Sequence, residues 1–120
     1  MKATRVQHVS VNCEGKLDET RRFYAELFEL EDADRPDIPG LAGHWFAVGD
    51  AQLHLVDGPA LGEGVDPVGD HWCVEVDDLD AARAELDAKD IPYVESRGAV
   101  AQIWINDPAG RTVELQQATS

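Results

Sequence analysis

Three histidines and one glutamate occupy matching places in two halves of a 120-residue chain. His8 lies in the opening apolar stretch, and His71 in another that restarts the same pattern. His54 and Glu114 each lie in an apolar stretch that closes a half. Together they carry the donor types of a divalent metal site. Neutral imidazole gives a nitrogen lone pair, and a carboxylate offsets part of the ion's charge. Zinc, nickel, manganese and iron all accept such ligands, so the set implies a divalent cofactor without choosing its identity. The four residues are far apart in the chain. Neither His-Glu-x-x-His nor a two-cysteine zinc knuckle is present.

Strands are needed to bring such residues together. Side chains alternate faces along a strand, so the ligand candidates can be checked against their neighbours. In Val6 to Val11, His8 opposes Val9 and Val11; in Ala51 to Val56, His54 opposes Leu53 and Leu55. In His71 to Val76, His71, Cys73 and Glu75 oppose Trp72, Val74 and Val76, and in Arg111 to Gln116, Glu114 opposes Val113 and Leu115. All four candidates therefore stand away from the most apolar face, which would pack on helices.

The helices have their own signature. Leu17, Thr20, Phe23, Tyr24, Leu27 and Phe28 recur at offsets near three and four, which predicts a helix over 17–28. A second is predicted from Asp78 to Lys89, with Asp77 or Asp78 as its N-cap. Glu31 to Gly43 reads as a polar loop, His44 to Val48 and Ala51 to Val56 as paired strands about Gly49-Asp50. Ile91 to Glu95 is a short strand interrupted by Pro92, and Val100 to Ile105 precedes the turn from Asn106 to Gly110. The Gly- and Pro-rich segment from Asp57 to Asp70 is the natural linker. His8 and His71 are 63 residues apart, and His54 and Glu114 are 60 apart. The chain thus reads as one α+β domain, 1–120, made from two modules, 5–57 and 70–117. Each runs strand, helix, then about three strands.

Composition narrows the partners. A formal net charge of −14 opposes nucleic acid and anionic membranes. No apolar run approaches the roughly 20 residues that span a bilayer. Met1-Lys2-Ala3-Thr4 leads into a strand rather than a signal segment. Cys13 and Cys73 provide no disulfide framework, and both are expected to be reduced, largely buried thiols in a cytoplasmic protein.

Three segments carry a resemblance: HVSVNCEGKLDETRRFYAELFEL, HWCVEVDDLDAARAELDAKDI and IWINDPAGRTVELQ. Arg22-Phe23-Tyr24 with Leu27-Phe28, the Asp107-Pro108-Ala109-Gly110 turn and the strand holding Glu114 resemble the vicinal oxygen chelate superfamily. That superfamily includes glyoxalase I, fosfomycin-resistance proteins, extradiol dioxygenases and bleomycin-binding proteins. The resemblance implies two βαβββ modules forming a cupped, partly open barrel. His8, His71 and Glu114 match its commonest metal ligands, and His54 falls where glyoxalase I usually supplies a glutamate. It also implies a homodimer with sites at the subunit interface, each built from the first half of one subunit and the second half of the other.

The activity implied is lyase or isomerase chemistry on a small oxygenated substrate, through an enediolate or related oxyanion, with Glu114 as the proton-transfer residue. Two alternatives stand beside it. One is an Fe(II)-dependent dioxygenase using His8, His71 and Glu114; the other is a metal-free small-molecule binding or sequestration protein. Asn12 stands where glyoxalase I often places an arginine for glutathione. Trp45, Phe46, Arg97 and Trp104 are the substrate-binding candidates. Trp45 and Phe46 must face opposite ways in a regular strand, so one lines a cleft and the other the core. Glu75 and Gln116 share the ligand face and are expected to support the ligands from behind.

Overall fold

The computed structural model describes residues 2, 4–59, 64–65, 67, 71–96 and 100–118. Much of the expected linker, 57–70, and all of Arg97 lie outside the described residues. The chain divides into two compact units, Met1–Leu61 and Gly62–Ser120. Each has the order β, α, β, β, β, which is the α+β organisation expected of the two modules.

In the first unit β1 (His8–Asn12) is followed by α1 (Leu17–Leu27), β2 (Glu31–Asp32), β3 (Gly43–Val48) and β4 (Ala51–Val56). The sheet order is β1-β4-β3-β2, with β1 parallel to β4 and the other pairs antiparallel. Phe46, Leu53, Leu55 and Val11 are buried on one face, where α1 packs on β3 and β4 through Thr20 and Tyr24. Phe23, Tyr24 and Phe28 form an aromatic cluster along that helix, with centroids 5.0–5.9 Å apart.

The second unit repeats the arrangement with β5 (His71–Val76), α2 (Leu79–Ala88), β6 (Tyr93–Glu95), β7 (Gln102–Asn106) and β8 (Thr112–Gln117). Its sheet order is β5-β8-β7-β6, with β5 parallel to β8. Ile103, Ile105, Val113 and Leu115 are buried there, together with Leu79 and Leu86 of α2. Asp78 is the N-cap, its carboxylate accepting from the Ala81 N–H at 3.0 Å.

One strand lies inside the segment expected to be a loop. Glu31 and Asp32 pair with Ala47 and Phe46 through the backbone, and both are exposed, so no apolar alternation announces them. One of the two thiols also departs from expectation. Cys13 is buried, whereas Cys73 falls on the open face of β5, because alternation gives the inner positions to Trp72, Val74 and Val76.

Both helices end on a non-glycine residue in the left-handed region, Glu29 at φ 55° and Asp90 at φ 54°. An L side chain is strained there, and Glu has less local compensation than Asp. Glu29→Gly is expected to raise stability by about 0.5–1 kcal/mol in chemical denaturation. No gain, or a loss, would show that the helix end tolerates the side chain without strain.

Candidate functional site

The two units place their candidate residues in the same way. In the first, Ser10 of β1 is the register partner of His54 on β4, and Trp45 of β3 faces His54 from the other side. In the second, Cys73 of β5 is the partner of Glu114 on β8, and Trp104 of β7 faces it. His8 and His71 each sit two residues before those partners. The internal duplication therefore extends to strand register: a histidine, a diagonal ligand candidate and a tryptophan recur on three adjacent strands.

In the first unit these side chains form a ring stack. His54 lies between His8, at a centroid distance of 4.2 Å and 15° between planes, and Trp45, at 3.7 Å and 4°. His54 Nε2 is 2.7 Å from Gln52 Oε1, and His8 Nδ1 is 2.9 Å from Gln7 Oε1. A carboxamide oxygen only accepts, so those two ring nitrogens carry the protons. The lone pairs are left on His54 Nδ1 and His8 Nε2. This is the tautomer arrangement of a metal-binding imidazole whose other N–H is fixed by a neighbour.

In the second unit Glu114 is the centre. It is buried, at 5% exposure, yet surrounded by donors. His71 Nε2 donates to Oε1 at 2.9 Å, and Trp104 Nε1 donates to the same oxygen at 3.2 Å. Gln102 Nε2 and Gln116 Nε2 donate to Oε2 at 3.1 and 2.6 Å. Burial works against the charged form, but the hydrogen bonds from Gln116, Gln102, His71 and Cys73 outweigh it. The Glu114 carboxyl therefore titrates below its ordinary value of 4.5. Burial first, then the charge and hydrogen bond of Glu114, push the Cys73 thiol up to about 11, so it is not a thiolate nucleophile near neutrality.

Two ligands of one ion, each about 2.1 Å from it at a right angle, are about 3 Å apart. His71 Nε2 and Glu114 Oε1 have that separation, and the donor set suits a divalent ion. A cation there would replace the proton now shared between imidazole and carboxylate. Each unit thus gathers two of the four candidates. Among the described residues, no group of three or more His, Cys, Asp or Glu side chains is placed to hold an ion.

The remaining candidates divide by face. Trp45 is half-buried on the His54 side, while Phe46 is fully buried in the core. Trp104 is buried and tied to Glu114 by its indole N–H. Gln116 donates its carboxamide N–H to Glu114 Oε2. Glu75 is exposed beside it in register, and among the described residues no hydrogen bond joins it to Glu114. Sequence reasoning missed Gln52 and Gln102. Both are ordinary strand glutamines: alternation along β4 sets Gln52 beside His54, and the β7–β8 register sets Gln102 against Glu114.

Acid should weaken the fold in two stages. His54 titrates below its ordinary 6.5, because of desolvation first and then the His8 and Arg35 charges. A lowered folded value means that the unfolded chain binds more protons in the window below 6.5, so stability falls as pH drops through it. Glu114 acts with the same sign in a lower window: its contribution is intact above 4.5 and lost below it. Urea melts across pH are expected to show both declines. His54→Gln should remove the first and keep the second; an unchanged first decline would assign it to another group.

Residues 5–115 match the family model for the Glyoxalase/Bleomycin resistance protein/Dioxygenase superfamily. A Bacillus anthracis protein placed in the glyoxalase family is similar in structure, with TM-score 0.81 and 24% identity, covering 96% of this chain and 95% of that one. Lactoylglutathione lyase from Agrobacterium tumefaciens gives TM-score 0.73 and 25% identity over 95% and 93%. TnmS3, an antibiotic-binding protein from Streptomyces sp. CB03234, gives 0.72 and 25% over 99% of both chains. No curated protein matches the sequence significantly.

Proposed function

The chain belongs to the glyoxalase/bleomycin resistance protein/dioxygenase superfamily, and from that premise we propose that it is a metal-dependent enzyme of the lyase or isomerase type acting on a small oxygenated molecule. The observation that carries this reading is the 2.9 Å approach of His71 Nε2 to Glu114 Oε1, the separation of two ligands on one ion, with His8 and His54 at the equivalent register positions of the first unit. In a homodimer, the pair from one protomer's first unit and the pair from its partner's second unit would supply one centre. A divalent ion held by these residues would act as a Lewis acid on a substrate oxygen. The protein's part is to fix the His8 and His54 tautomers through Gln7 and Gln52 and to present an ionised carboxylate. Trp45 offers a flat apolar surface beside them, suited to orienting a small substrate.

The test is metal analysis of the purified protein supplied in turn with Zn(II), Ni(II), Mn(II) and Fe(II). About one ion per subunit is expected, with uptake rising as pH rises because binding displaces protons. Mixed dimers of a His8→Ala/His54→Ala protomer with a His71→Ala/Glu114→Ala protomer should regain one intact centre. Folded protein that takes up none of the four metals ends this reading.

A second reading, a metal-free small-molecule binder, draws on the ring stack and on the likeness to the antibiotic-binding TnmS3. It expects an aromatic ligand to quench Trp45 fluorescence equally with and without chelator. Among the described residues no helix is long and apolar enough to cross a membrane.

A further inference from the structure

Resting on the metal-binding reading, the geometry points to Gln102 and Gln116 as positioning residues that make Glu114 a stationary ligand through a single oxygen. Gln102 and Gln116 are direct register partners on β7 and β8, and both extend along the face that carries Glu114. Their carboxamide nitrogens meet on Oε2, at 3.1 and 2.6 Å. The other oxygen, Oε1, is turned toward His71. Ionised carboxylate hydrogen bonds are stronger than neutral ones, and here two of them hold the oxygen that faces away from His71. A carboxylate that carries a proton to and from substrate must turn away from its ion. Turning Glu114 breaks both carboxamide contacts inside a buried site, so proton transfer falls to another group.

The duplicated fold supplies an internal comparison. The places equivalent to Gln102 and Gln116 in the first unit are Gly43 and Val56, again register partners, and neither has a side-chain donor. His54 is held instead by its ring neighbours and by Gln52. The clamp therefore belongs to the carboxylate half alone. Its glutamines set the position of the carboxylate without touching substrate.

The experiment is a calorimetric Mn(II) titration of the full chain as wild type, Gln102→Leu, Gln116→Leu and the double variant, each repeated in a Glu114→Gln background. Gln117→Leu is the control, since Gln117 bonds Asp77 and Leu79 rather than Glu114. Each clamp variant should weaken Mn(II) binding roughly 10- to 100-fold with Glu114 present. In the Glu114→Gln background the further change should be about twofold or less, because the glutamines act through the carboxylate. Equal losses in both backgrounds overturn the proposal. Wild type that binds no metal overturns the metal reading itself, and the clamp is then decided without metal by the ¹⁵N side-chain amide signals. Gln102 and Gln116 signals that both shift in Glu114→Gln uphold the contact; signals that stay in place remove it. The same spectra decide the matter if a leucine variant fails to fold.

Discussion

Glu114→Ala and His71→Ala are each expected to lower divalent-metal affinity on the order of 100-fold or more, beyond the 10- to 100-fold assigned to outer partners. Each removes a candidate ligand directly. The two should differ in the metal-free protein. Removing Glu114 strips the acceptor from the N–H groups of Gln102, Gln116, Trp104 and His71. That should cost about 1–3 kcal/mol of stability, since the buried Trp104 N–H and the half-buried Gln102 and Gln116 amides lose their acceptor. Glu114→Gln keeps an acceptor oxygen and should recover much of this loss while leaving metal binding impaired. His71 is more exposed, and its loss should change stability little. Calorimetry for affinity and urea melts for stability separate the two effects. Native affinity in both alanine variants would remove these residues from the centre.

The second large effect is expected at Asp107→Ala, at about 2–4 kcal/mol of stability. Asp107 is 4% exposed, and its Oδ1 accepts from the N–H groups of Ala109 and Arg111, both at 2.9 Å. Its own backbone closes the same turn, with its N–H on the Arg111 carbonyl and its carbonyl accepting from Gly110. Gly110 has φ 86°, where a side chain would be strained. Alanine orphans a buried donor, the Ala109 N–H, and a part-buried one, the Arg111 N–H, at a cost of about 1–3 kcal/mol for a buried donor. Asp107→Asn retains an acceptor and should lose less than half as much. The turn also sets the β7–β8 register that places Trp104 against Glu114 and Gln102 against Gln116. Metal affinity should therefore fall in Asp107→Ala even where the protein remains folded. Chemical denaturation with a parallel Mn(II) titration checks both halves; unaltered melts would assign the carboxylate no part in closing the turn.

Much of this architecture was legible from alternation. The sequence pattern places β5 at His71–Val76, the span observed, and puts His54 and Glu114 on the faces where they lie. It does so because inward valines and leucines leave only one side for polar groups. The chain is less explicit where backbone pairing acts alone. Glu31 and Asp32 bury nothing, so their strand has no chemical signature. The supporting contacts were the hardest to foresee. Gln102 acquires its role from facing Gln116 across a hairpin, and Gln52 from standing two residues before His54. Neither follows from residue type. The face of Phe46 was open between cleft and core, and packing with α1 gives it to the core.

The parallel pairing of β1 with β4 has a consequence for synthesis. The first strand of the unit finds its neighbour only after Ala51–Val56 has been made. Until then His8–Asn12 has no lateral partner in its own sheet, since β1 stands at the margin of the order β1-β4-β3-β2. Bringing such distant segments together is entropically slow, and a bare strand waiting on the ribosome invites pairing with the wrong chain. The charged residues of α1, Asp18, Glu19, Arg21, Arg22 and Glu26, emerge directly behind it, a soluble escort for the interval before the sheet is complete.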